Sequence, residues 1–164
     1  MSARRAAALT VWIAALAACA NRAAYPATDA VRLEADATAF VASIPDVLAE
    51  RGPTGWLDLF VADEPFDMLS DGTVVFADRA AAEAFLPSFA ADVVRMDLHL
   101  REVRSIAIGE GAVSVAALYD ETIDTRGAGR LEFGGAVSMV VVVTSDGFRL
   151  RRLHWSSPRV DDGA

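Results

Sequence analysis

Apolar residues recur at helical spacing from Val31 to Leu48, taking in Leu33, Ala37, Phe40, Val41, Ile44 and Val47. That period puts them along one side of a helix. Thr28 or Asp29 stands where its side chain can cap the first turn. Pro45 lacks an N–H and crowds the preceding turn, so it should break or kink this helix. Gly52-Pro53 should end it. Thr54 to Val61 forms a short second helix carrying Trp56, Leu57, Leu59 and Phe60. A loop at Asp63-Glu64-Pro65 follows. Phe66 to Leu69 and Thr73 to Phe76 flank Ser70-Asp71-Gly72, the pattern of a small hairpin. Asp78 caps a third helix over Arg79 to Val93, interrupted at Pro87.

Beyond that helix the period shortens to two. Met96, Leu98 and Leu100 form one row, and Asp97, His99 and Arg101 the other. Val103 to Ile108 continues this strand, and Gly109-Glu110-Gly111 turns it. Ala112 to Asp124 is a long strand with Val113, Val115, Ala117, Tyr119 and Ile123 on one face. The Gly-rich loop from Arg126 to Arg130 leads into Leu131 to Thr144. Asp146-Gly147 then supplies a hairpin turn, since Gly tolerates the positive φ such a turn demands. The closing strand slips in parity: Phe148 and Leu150 share one face, Leu153 and Trp155 the other. One extra residue near Arg151-Arg152, a β-bulge, would bring all four to one face and send His154 and Ser156 to the opposite one. Helices gathered at the front and an antiparallel meander behind them make the fold class α+β. Ala116, Leu118, Val140 and Val142 make the second face of the sheet apolar as well. Strands apolar on both faces are usually covered on both, so a homodimer through the outer sheet face is expected.

Composition changes this picture in two places. Hydrophobic residues make up 54% of the 164, enough for a core. The formal charge is −8. Beyond residue 18 the chain has 13 basic and 23 acidic residues, a balance of −10. A surface so acidic excludes nucleic acid as a partner, because phosphate binding needs a cationic face.

The front of the chain reads as a leader. Arg4-Arg5 precede a short apolar run, Ala6 to Ala15, too short to span a bilayer. Leu16-Ala17-Ala18-Cys19 resembles the bacterial lipobox. That resemblance implies removal of residues 1–18 as a lipoprotein signal peptide and acylation of Cys19. Cys19 is the only cysteine in the chain, so no disulfide competes for it. The alternative is ordinary cleavage after Ala18-Cys19-Ala20. Residues 19–28 then form a lipidated tether, 29–158 the domain, and 159–164 a frayed tail. The implied location is the cell envelope, on the periplasmic face and at the outer membrane, with Cys19 in the membrane.

Asp71-Gly72, the helix after Phe76, the Ala112–Thr122 strand and the closing Gly-Phe-Arg-Leu…His-Trp-Ser together resemble the nuclear-transport-factor-2-like superfamily. The look-alikes are its polyketide-cyclase-like and ketosteroid-isomerase-like bacterial members. The resemblance covers roughly residues 30 to 158. It implies a cone-shaped curved antiparallel sheet wrapped around three N-terminal helices, with a pocket inside. Fold likeness alone selects no activity.

Several residues are candidates for chemistry. Glu121 shares strand parity with Tyr119, and burial there would raise its pKa into general-base range. The competing placement, past the core and in water, suits the rarity of unpaired buried charge. Tyr119 can donate a hydrogen bond to a ligand or simply fill the core with its hydroxyl at the rim. His154 is the better placed histidine for a pocket mouth, and His99 belongs to a solvated face. Asp67 is a pocket acid or an ordinary turn-adjacent acid. Trp56, Phe60, Phe85 and Phe89 line a pocket or fill the core. No metal-ligand spacing or nucleophile elbow occurs, and no cofactor is implied. Two functions remain. The first is a non-catalytic module binding a small apolar molecule or a protein at the membrane surface. The second is an acid–base enzyme of isomerase, dehydratase or cyclase type. Glu121 or Asp67 would be its base, and Tyr119 or His154 would stabilise its oxyanion.

Overall fold

The structure is a computed structural model and describes residues 27–62 and 65–158. The expected leader, Cys19, the tether up to residue 26 and the tail beyond 158 lie outside the described residues.

Helix α1 (Ala27–Arg51) buries Leu33, Ala37, Val41, Ile44 and Leu48 against the sheet. Pro45 lies inside it without ending it. The expected break does not occur, because Ile44 and Leu48, one turn apart around the proline, are both held in the core. Their burial outweighs one missing backbone hydrogen bond. Gly52, at φ +62°, leaves the helix in the left-handed conformation that glycine adopts freely. A 3₁₀ turn (Gly52–Gly55) and one turn of helix, α2 (Trp56–Leu59), follow.

Strands β1 (Asp67–Ser70) and β2 (Thr73–Phe76) form the expected hairpin. Asp71 and Gly72 at its tip both have positive φ, 48° and 81°. That is the twist a two-residue turn between right-twisted strands requires. Helix α3 (Arg79–Asp92) is capped by Asp78, whose carboxylate accepts the Ala81 N–H at 2.8 Å. It too runs through its proline, Pro87. The Arg79 guanidinium donates to the Leu57, Phe60 and Val61 carbonyls and so ties α3 to α2.

Strands β3 (Val93–Gly109), β4 (Ala112–Thr125), β5 (Gly129–Thr144) and β6 (Gly147–Ser156) form an antiparallel meander. The sheet order is β2-β1-β6-β5-β4-β3. The β1–β6 pair is parallel. The six-stranded sheet is therefore mixed where a wholly antiparallel one was expected. The fold class is α+β, as expected.

The expected bulge is present. Val140 pairs with Arg152 and Val141 with Leu150, which leaves Arg151 as the extra residue. Leu150, Leu153 and Trp155 are accordingly buried, while His154 and Ser156 are exposed. A second irregularity, at Glu102 (φ 52°), shifts β3 between Arg101 and Arg104. It keeps Leu100 and Val103 both against the core. Bulges bend the strands that carry them. α1 covers the β3 half of the concave face: Glu34 accepts the Ala107 N–H at 2.8 Å, and Thr38 bonds Ser105 at 2.7 Å.

Candidate functional site

Beyond the reach of α1, the concave face opens into a cavity of about 330 Å³. Trp56 of α2 and Trp155 of β6 form one wall, with ring centroids 6.0 Å apart and edge to face. Tyr119 of β4 packs edge to face on Trp155 at 4.6 Å. Phe76, Phe85 and Phe89 form a second run of rings along β2 and α3, each 5.7 Å from the next. Met68, Met96, Ile123 and Phe133 complete most of the apolar lining. The shape follows from the parity of the strands. Each lining residue of β4 and β6 belongs to the inward row that the Arg151 bulge keeps continuous.

Few polar groups enter this space. Glu121 is one residue pair beyond Tyr119 on the inward row of β4, so their side chains share a face. Its strand neighbours are Leu98 on β3 and Phe133 on β5. Burial among them pushes its carboxyl up from about 4.5 to about 7. No hydrogen bond or ion pair to a described residue answers it. A carboxyl at that value exchanges its proton at physiological pH.

The second polar group is a short chain at the mouth. Asp71 accepts the Ser157 N–H at 2.7 Å and the Ser157 hydroxyl at 3.2 Å. These bonds hold its carboxylate below the usual range, the backbone bond contributing most. Tyr119 Oη lies 3.5 Å from Ser157 Oγ, at the long limit of a hydrogen bond. The Asp71 N–H also donates to the Trp155 carbonyl at 3.0 Å. The β1–β2 hairpin tip is thus fastened to the end of β6. The indole N–H of Trp155 is buried without an acceptor among the described residues.

The structure separates the sequence-derived candidates. Glu121, Tyr119 and Trp56 meet at the cavity, as do Phe85 and Phe89. Phe60 lies outside it: it is buried and stacked on Phe66 at 4.0 Å and on Trp56 at 5.8 Å. Asp67 faces away. It is paired with the Arg152 guanidinium through two bonds of 2.7 and 2.8 Å on the outer side of the sheet. Met68 takes the inward position in its place. His154 is also on the outer side and exposed, because the bulge that turns Leu153 and Trp155 inward turns it outward. His99 is exposed on that side too. Asp71 and Ser157 were not anticipated at the site. Asp71-Gly72 carried a signal for a turn, and nothing in the sequence told where that turn would dock. No group of side chains suited to a metal ion occurs among the described residues.

No protein-family model matches the chain, and no curated protein matches it. Solved structures do. A nuclear transport factor 2-like superfamily protein from Salmonella enterica serovar Typhimurium superposes with a TM-score of 0.66 at 18% identity, covering 82% of this chain and 99% of that one. A candidate scytalone dehydratase from Novosphingobium aromaticivorans gives 0.63 at 13% identity, covering 77% and 83%. The β subunit of the benzoate 1,2-dioxygenase from Burkholderia mallei gives 0.61 at 15% identity, covering 76% and 89%. At such identities the likeness is one of fold. The chain has the cone-shaped α+β fold of nuclear-transport-factor-2-like proteins.

Proposed function

We propose that the domain is a small-molecule binding module, held at the membrane surface through Cys19. The observation that carries the binding function is the cavity itself, apolar and ringed by aromatic side chains, with Glu121 as its inner polar group and the Asp71–Ser157–Tyr119 chain at its mouth. A concave apolar site with a few converging polar groups is the usual form of a ligand pocket. The anchor rests on the sequence Leu16-Ala17-Ala18-Cys19.

The test uses the neutral fluorophore N-phenyl-1-naphthylamine. Saturable fluorescence gain is expected with the wild type. It should be lost in Ile123→Trp, which fills the cavity from the β4 wall. Absence of saturable binding, or equal binding by the filled variant, would refute the proposal. For the anchor, Cys19→Ala should move the protein from the membrane to the soluble fraction, since acyl chains are what hold it there.

A second function is favoured by one observation, the Glu121 carboxyl near pH 7 beside Tyr119. Those two groups would serve as proton-transfer residue and hydrogen-bond donor in an acid–base reaction of isomerase or dehydratase type. Asp67 and His154 have no part in it, since neither reaches the cavity. A bound molecule that the wild type converts and Glu121→Gln returns unchanged would favour this second function over simple binding.

A further inference from the structure

We propose that the cavity selects an organic cation, a compact amine or quaternary ammonium compound whose charge lies among the aromatic rings and faces Glu121. This deepens the small-molecule function proposed above and rests on it.

The argument begins with what the lining contains and lacks. Two carboxylates line the cavity, Glu121 within and Asp71 at the mouth. No arginine or histidine lines it, and the chain has no lysine. An anionic ligand would meet like charge and find no cation to pair with, and burying an unpaired charge is costly. A neutral ligand would bind the walls and could share a hydrogen bond with Glu121, but it would gain no charge contact from it. A cation gains from both. Trp56, Tyr119, Trp155 and four phenylalanines line the space. A cation over such ring faces is attracted by their quadrupoles, tryptophan being the strongest. Glu121, unpaired between Leu98 and Phe133, is the counter-ion such a ligand would ionise.

The mouth adds a second, independent element. Asp71 is kept ionised by the Ser157 N–H and hydroxyl. A negative group at a cleft entrance concentrates cations there and repels anions, an effect the acidic chain reinforces. The carboxyl groups at the cavity are Glu121 and Asp71, and the His154 imidazole, on the outer side, acts electrostatically on Asp71; α2, α3, β3 and β5 contribute only apolar side chains to it.

Displacement of N-phenyl-1-naphthylamine tests the inference with three molecules of similar skeleton. These are benzyltrimethylammonium, its uncharged carbon isostere neopentylbenzene, and phenylacetate. At pH 8 the cation should bind roughly tenfold more tightly than the isostere, the lead a single favourable charge contact supplies. Phenylacetate should compete least. The quaternary ammonium does not titrate, so a lead that falls at pH 5.5 in the wild type and does not change with pH in Glu121→Gln reports protonation of Glu121. Glu121→Gln, shown to be folded by circular dichroism, should show a reduced lead at pH 8. The inference is overturned if the isostere or phenylacetate matches the cation at pH 8, or if the lead is unchanged at pH 5.5 and in Glu121→Gln. Should the fluorophore bind while the cation has no lead, only the charge selection fails. Should the fluorophore itself not bind, the small-molecule function fails and this inference with it.

Discussion

Glu121 shows how one side chain can be stabilising at one pH and destabilising at another. In the folded chain it keeps its proton up to about pH 7 because burial penalises the ionised form. In the unfolded chain it releases the proton near 4.5. The native state therefore binds more protons between these values, and stability falls as pH rises through that window. Glu121→Gln removes the titration. The variant should match the wild type near pH 4 and exceed it by about 2 kcal/mol at pH 8, a figure reduced from the full shift because the cavity is partly solvated. Urea unfolding at the two pH values measures the difference, and a pH-independent difference would place Glu121 in open solvent. Strand parity alone put Glu121 and Tyr119 on one face. It left open whether Glu121 was buried, because the groups that cover this end of β4 come from β2, α2 and α3, far away in the sequence. Asp71 and Ser157 were illegible for the same reason: their partnership spans 86 positions.

Elements were more legible than their docking. The parity slip between Leu150 and Leu153 demanded a bulge, and the pairing around Arg151 has one. The bulge at Glu102 left the same kind of mark, since Leu100 and Val103 are also three apart and of opposite parity, but the segment from Met96 to Ile108 was read as one continuous strand. Pro45 was expected to break or kink its helix and Pro87 to interrupt its own, and both helices continue through their prolines. The parallel β1–β6 pairing also lay beyond local pattern, since hydrophobic alternation carries no strand direction. One glycine fixes how β5 meets the end of β6. Gly135 is opposite Tyr119 on β4 and lies against the Ser156 carbonyl (φ 155°), so a Cβ there would overlap that oxygen. Backbone cannot yield as a flexible side chain can. Gly135→Ala is expected to cost about 1–3 kcal/mol in urea unfolding, the usual range for overpacking. It should also weaken fluorophore binding, because Ser157 would be moved from Asp71 and Tyr119. A variant as stable as the wild type would show that β6 can shift without loss.

At the scale of the whole molecule, the outer face of the sheet remains to be accounted for. Ile106, Ser114 and Val140 lie side by side across β3, β4 and β5, as do Arg101, Leu118 and Ala136. Ala116 sits between these rows. Ile106 is 66% exposed and Ala116 is exposed, whereas Leu118 and Val140 are half-buried. Val142, which was counted in this apolar set, is already buried in the single chain and adds little to the patch. Charged pairs flank it, Arg101 with Asp120 on one side and Arg152 with Asp67 on the other. An apolar centre with a polar surround is the anatomy of a protein–protein interface. On a twofold axis the same patch would cover itself, each charged flank meeting the other chain's. We therefore predict a homodimer through this face. A standard interface buries about 1,600 Å² in total and holds at tens of micromolar. Light scattering on residues 29–164 should give twice the chain mass. Leu118→Asp, which places a carboxylate beside Asp120 at the centre of the patch, should give the single-chain mass without changing the circular dichroism spectrum. A wild-type domain that is monomeric at that concentration would overturn the prediction.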